Sequence, residues 1–135
     1  DLGAEPLTDL HILFDGLRGM GMRLGVATND TEAGVHATLG PLDVVGKLDF
    51  IVGYDSGHGA KPGPGMVLAF ADHIQSPPER VIMVGDNLHD LEAGRSAGAR
   101  TVGVLTGNTP REALEPLADH ILENVDGLIA LFQPS

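Results

Sequence analysis

Two aspartates four residues apart, Asp86 and Asp90, close the segment Val81-Ile82-Met83-Val84-Gly85-Asp86-Asn87-Leu88-His89-Asp90. If the apolar run is a buried strand, Asp86 sits at its end and Asp90 lies within the first turn of the helix that follows. Both carboxylates then face one spot, and two hard oxygen donors there suit Mg²⁺, which takes one or two carboxylates, waters and substrate phosphate oxygens. The competing reading is that Asp86 caps the helix and Asp90 complements its dipole. Lys61 adds a cation. It is one of only two lysines and stands in Gly59-Ala60-Lys61-Pro62-Gly63-Pro64, just before a predicted helix. Proline there restricts the backbone presenting the lysine. An ammonium backed by a positive helix end would stabilise charge on a transferring phosphoryl group; alternatively, Lys61 is an ordinary solvent-exposed loop lysine. At Thr28-Asn29, a hydroxyl and the backbone N–H groups of the turn can donate to phosphate oxygens, unless they only cap the segment beginning near Thr31.

The elements that must position these groups are legible as periodicity. Near-continuous apolar runs recur at residues 23–28, 50–53, 81–85 and 101–104, as expected of strands buried on both faces of a parallel sheet. Helical spacing separates them. Leu10, Leu13, Phe14 and Leu17 mark one helix, Met66, Phe70 and Ile74 another, and a third is predicted over Leu88 to Ala97 with Gly98 stopping it. Thr109-Pro110 is predicted to open a short helix, and His120-Ile121-Leu122 reads as an edge strand. Leu128, Ile129, Leu131 and Phe132 suggest a closing helix, with Pro134 marking its end. The glycine- and proline-rich stretch from Gly53 to Gly65 is read as a loop. The alternation predicts a doubly wound α/β sheet, treated as one domain over residues 1–135. Ligands of such sheets bind beyond the carboxyl ends of the strands. The residues following each run are polar: Thr28-Asn29-Asp30, Asp55 to Lys61, Asp86-Asn87 and Thr106-Gly107-Asn108.

Composition removes several function classes. The chain has no cysteine, which excludes disulfides, thiolate metal sites and a cysteine nucleophile, and fits a reducing cytoplasm. Its 19 acidic against 8 basic residues give a formal net charge of -11, which repels nucleic acid and anionic membranes. No window approaches a membrane span, and Asp1 to Pro6 lack the features of a signal peptide. The expected partner is a small molecule. The six histidines form no metal-binding spacing; only His58 and His89 fall near the expected site, and both read as ordinary loop or surface residues.

Leu24-Gly25-Val26-Ala27-Thr28-Asn29, Lys61-Pro62-Gly63-Pro64 and Val84-Gly85-Asp86-x-x-x-Asp90-Leu91-Glu92-Ala93-Gly94-x-x-Ala97-Gly98 resemble the second, third and fourth motifs of the haloacid dehalogenase superfamily. The chain is most similar to the phosphoglycolate phosphatase-like members. The resemblance implies Mg²⁺-dependent hydrolysis of a small phosphate monoester, phosphoglycolate-like or a sugar phosphate, through an aspartyl-phosphate. It further implies that Thr28 and Asn29 meet the phosphoryl group, that Lys61 balances charge there, and that Asp86, helped by Asp90, holds Mg²⁺.

The family's first motif, an aspartate nucleophile at the end of a buried strand and a second aspartate two residues later, is not found. His11-Ile12-Leu13-Phe14-Asp15-Gly16 echoes it, but Leu17 stands where the second aspartate belongs, the apolar spacing is helical, and Thr28 follows too closely for a strand, a cap and a helix. In the family's sheet that strand is central. The resemblance therefore implies an interruption between the strands ending at Thr28 and Gly85, completed by an upstream piece carrying the strand and a cap, an N-terminal fragment or a domain-swapped partner. Carbon-halogen hydrolysis, which needs no metal, fits the paired aspartates less well. A phosphosugar mutase uses the same core, and a non-catalytic binding domain is the rival from another class.

Overall fold

A computed structural model describes residues 9–133; the expectations placed on Asp1 to Pro6 and on Pro134 lie outside them. In chain order the elements are α1 (Leu10–Gly19), β1 (Gly25–Ala27), α2 (Glu32–Leu39), β2 (Phe50–Val52), α3 (Gly65–His73), β3 (Ile82–Gly85), α4 (Leu88–Ala97), β4 (Arg100–Val104), α5 (Arg111–Leu114), β5 (His120–Leu122) and α6 (Gly127–Phe132). Short 3-10 turns fill several connections, including Tyr54–Ser56 within the stretch read as a loop.

The helix signals act through identifiable caps. Asp9 accepts from the amides of His11 and Ile12 and opens α1. Thr31 accepts from Gly34 N and opens α2, so that cap is Thr31 itself and leaves Thr28-Asn29 free of the duty. The α4 helix runs from Leu88 to Ala97, as the periodicity predicts. It ends where Gly98 enters the left-handed region at φ 86, its N–H donating to Arg95 O and Gly94 O.

Every strand pair is parallel, but the strands form two sheets. β1 pairs with β2, Gly25 opposite Phe50 and Ala27 opposite Val52; separately, β3 pairs with β4 and β4 with β5. The expected interruption is there: β1 and β3 are not paired with each other, and between them lies a cavity of about 670 Å³ walled by residues of both strands and by Met66, Val67 and Phe70. As expected, β5 is an edge strand. The two faces of β3 carry separate cores. Val81 and Met83 meet Val67, Phe70 and Ala71 of α3 and Ala93 and Ala97 of α4, whereas Ile82 and Val84 meet Leu13 and Leu17 of α1 and Leu128 of α6. Period-2 alternation thus gives a helix–sheet–helix sandwich with both strand faces apolar. Among the described residues no helix is long and apolar enough to cross a membrane.

Candidate active-site rim

The carboxyl ends of β1 and β3 carry the polar residues the sequence points to, and Lys61 joins them. Its Nζ lies 2.5 Å from Asp90 Oδ1 and donates to Ala27 O at 2.9 Å. One contact belongs to the last residue of β1, the other to the first turn of the helix after β3, so the ammonium links the two half-sheets across the top of the cavity. Both charged side chains are about nine-tenths buried, at 10% and 9% exposure. Lys61 is therefore not a solvated loop lysine.

Asn29 holds Lys61 in place. Its Nδ2 donates to Lys61 O at 3.0 Å, and its Oδ1 accepts from Lys61 N at 2.8 Å. Both ends of the amide are thereby spent on the backbone of the residue that presents the ammonium. Expected to meet the phosphoryl group, Asn29 is placed by the structure as the clamp of the Lys61 loop. Thr28 keeps part of its expected donor set. Its N–H is committed to Val52 O and its Oγ1 accepts from Asp30 N, which leaves the hydroxyl proton to donate.

Asp86 follows β3 but does not cap α4. The cap is Asn87, whose Oδ1 accepts from Asp90 N at 3.1 Å. Asp86 takes part in no ion pair among the described residues; its one polar contact there is a long 3.4 Å approach from Asn87 Nδ2. Two glycines shape its surroundings. A Cβ on Gly85 would fall 2.2 Å from Asp90 Cβ, and a Cβ on Gly107 would lie 2.8 Å from Asp86 Oδ2. Gly85 lets the backbone pass the Asp90 carboxylate; Gly107 lets the loop after β4 close over Asp86. Sequence reasoning marked that loop as polar but missed this steric role, for which the only signal was a glycine following an apolar run.

The donor chemistry fits part of a Mg²⁺ site. Asp86 offers free carboxylate oxygens and Asp90 the oxygen not taken by Lys61, while no group of three or more His, Cys, Asp or Glu able to hold a metal occurs among the described residues. Two carboxylates completed by waters and phosphate oxygens suit Mg²⁺. His58 and His89 are exposed. Asp15 lies on α1, 63% exposed and 2.7 Å from Lys47 Nζ, away from the strand ends and unsuited to be a nucleophile there.

A model of the family described as Haloacid dehalogenase-like hydrolase matches residues 3–104. The chain is 33% identical to the pyrophosphatase PpaX of Bacillus velezensis, covering 93% of this chain and 60% of that protein. It is 29% identical to a phosphoglycolate phosphatase of Aquifex aeolicus, covering 88% and 62%. Among solved structures, a hydrolase from Pseudomonas syringae superposes with TM-score 0.82 at 28% identity, covering 93% of this chain and 60% of that one. A HAD family hydrolase from Deinococcus radiodurans with bound phosphate and sodium superposes with TM-score 0.81 at 22% identity, covering 96% and 62%, a likeness of fold. The chain thus spans about three-fifths of the length of these relatives. With a family match over most of its length and the same α/β core, the chain belongs to the haloacid dehalogenase-like hydrolases.

Proposed function

We propose that this rim handles the phosphoryl group of a small phosphate ester and that the complete catalytic unit is a Mg²⁺-dependent phosphatase. The observation that carries the reading is the Lys61 ammonium, held between Ala27 O and Asp90 at the meeting point of the strand ends. A buried cation anchored on two sides is organised before substrate arrives, so it stabilises developing negative charge with little reorganisation. The Thr28 hydroxyl is the neighbouring donor for a phosphoryl oxygen. Asp86, with the remaining oxygen of Asp90, would hold Mg²⁺, which when bound neutralises charge on the transferring group.

In this reading the nucleophile is a carboxylate outside residues 9–133. Its oxygen attacks phosphorus, the ester P–O bond breaks, and the alcohol leaves with a proton from a general acid. Water then releases phosphate from the acyl phosphate and regenerates the carboxylate. The names of the relatives, phosphoglycolate phosphatase and pyrophosphatase, support a small phosphorylated metabolite as substrate, and the net charge of -11 supports an enzyme acting on neither nucleic acid nor anionic membranes.

The test is Mg²⁺-dependent hydrolysis of p-nitrophenyl phosphate by the chain extended to the full length of its relatives. Asp86→Asn and Lys61→Ala are each expected to lower kcat by about 100-fold or more. Wild-type rates in either variant would remove the assignment.

A further inference from the structure

The amino ends of the strands, opposite the Lys61 rim, hold cations that the phosphoryl chemistry does not use. Three of the chain's six arginines are paired, Arg18 and Arg23 with Asp49 and Arg111 with Glu123. Arg80, Arg95 and Arg100 enter no ion pair among the described residues. Parallel register helps to gather them. Ile82 of β3 stands opposite Arg100 of β4, and Val102 of β4 opposite His120 of β5, so these four share one face of the sheet. Arg80 comes from the turn just before β3, and α6 brings Leu131 and Phe132 to the same place. The result is a cavity of about 450 Å³ whose floor is apolar, from Ile82, Val102 and Phe132, and whose rim bears Arg80, Arg100 and His120. An adjoining hollow shares Arg100 and adds Arg95.

Ordinary structural duties account for only part of this cluster. Arg95 lies in the last turn of α4 and complements that helix's dipole; Arg80 and Arg100 lie in no α-helix. A lone arginine at a strand end can rest its stem on apolar side chains with its head in water, but two beside one cavity repel each other. The carboxylates that share the rim leave them unpaired. Asp119 turns Oδ2 to Thr101 N at 2.8 Å, and Glu79 is exposed and forms no ion pair among the described residues.

We propose that this groove is a second ligand site, built for a small carboxylate with an apolar body. The guanidinium forks of Arg80 and Arg100 match a planar oxyanion, while Ile82, Val102 and Phe132 receive the body. Glu79 and Asp119 offset two of the three arginines across the two hollows, and the single positive charge in excess suits a monoanion rather than a phosphate dianion. The volume lies within the roughly 300–1,000 Å³ of small-molecule sites. From Arg100 to the carboxyl end of β4 is about 13 Å at the usual rise per residue. The groove is therefore separate from Lys61 and Asp86 and stands independently of the phosphatase reading.

The experiment is an amide NMR titration, with naphthalene-2-carboxylate, of the chain extended to the full length of its relatives. Shifts are expected at Arg100, Thr101 and His120, with a Kd of about 1 mM or tighter. Arg80→Gln and Arg100→Gln are each expected to weaken binding about tenfold, and the neutral naphthalene-2-carboxamide to bind the wild type as weakly. Arg100→Lys, which keeps the charge and loses the fork, is expected to weaken binding as well. Arg111→Gln, remote and already ion-paired, should bind like wild type. Shifts confined to the Thr28–Lys61 rim, no saturation, equal binding of the carboxamide, or equal losses in Arg111→Gln and Arg100→Gln would each overturn the site.

Discussion

The two half-sheets are built on different principles although their sequences read alike. β4 is buried at every position from Thr101 to Val104, between β3 and β5 and beneath α4, with Leu91 and Leu114 fully buried against the same half. β1, an equally apolar run, has an exposed Gly25 and only half-buried Val26 and Ala27. Polar ties hold it. Asp49, before β2, accepts from Leu24 N at 2.8 Å and pairs with Arg23 at 3.1 Å and Arg18 at 3.4 Å, drawing the end of α1, the start of β1 and β2 together. At the other end Asn29 and Lys61 perform the same service. A strand open on one side cannot rely on burial, so side-chain hydrogen bonds and charge carry more of its positioning.

The contrast is broken most severely where the halves are joined. Asp90→Ala leaves the Lys61 ammonium buried without its counter-ion and is expected to lower unfolding free energy by about 3–5 kcal/mol, read from denaturant midpoints. The double replacement Lys61→Met with Asp90→Leu removes both charges and is expected to restore most of that loss. A double variant no more stable than Asp90→Ala would mean that the link between the halves is not electrostatic.

Within the β3–β4–β5 half, apolar burial dominates. Leu91→Ala is expected to cost about 2–5 kcal/mol and to do so independently of salt, measured between low and high ionic strength.

The smallest effect sharpens the polar side. Burial pushes the Asp49 carboxyl up, but the hydrogen bonds from Leu24 N and Arg23 and the charges of Arg23 and Arg18 outweigh it and hold the pKa below the ordinary aspartate value. Since the folded pKa lies below the unfolded one, this stabilisation is full above the unfolded value of about 3.9 and disappears as pH falls through the folded value. Thermal unfolding of Asp49→Asn should therefore fall below wild type at pH 7, and the two should converge only as pH falls from about 4 through the lower, folded pKa. A constant difference across that range would assign the role of Asp49 to shape alone.

Much of this arrangement could be read without coordinates. Near-continuous apolar runs and segments of period 3.6 locate the strands and helices, because burial on both faces of a parallel sheet or on one face of a helix imposes those patterns locally. The helical spacing around Asp15 rejects it as a nucleophile, and α1 carries it on an exposed face. Thr28, Lys61 and Asp86 are identifiable as strand-end and helix-start residues because topology sends such positions to one edge.

What the sequence alone determined is the order of elements and the chemistry gathered at their carboxyl ends, while the interruption between the strands ending at Thr28 and Gly85 came from the resemblance to the family. Tertiary structure alone decided the partners. Asn29 meets the backbone of Lys61 across 32 positions, Asp90 meets the Lys61 ammonium across 29, and Asn87 takes the cap that Asp86 could have filled. The physical reason is range. Periodicity and capping signals arise from neighbours along the chain, whereas a carboxylate or amide takes whichever donor the packing of distant elements brings within about 3 Å.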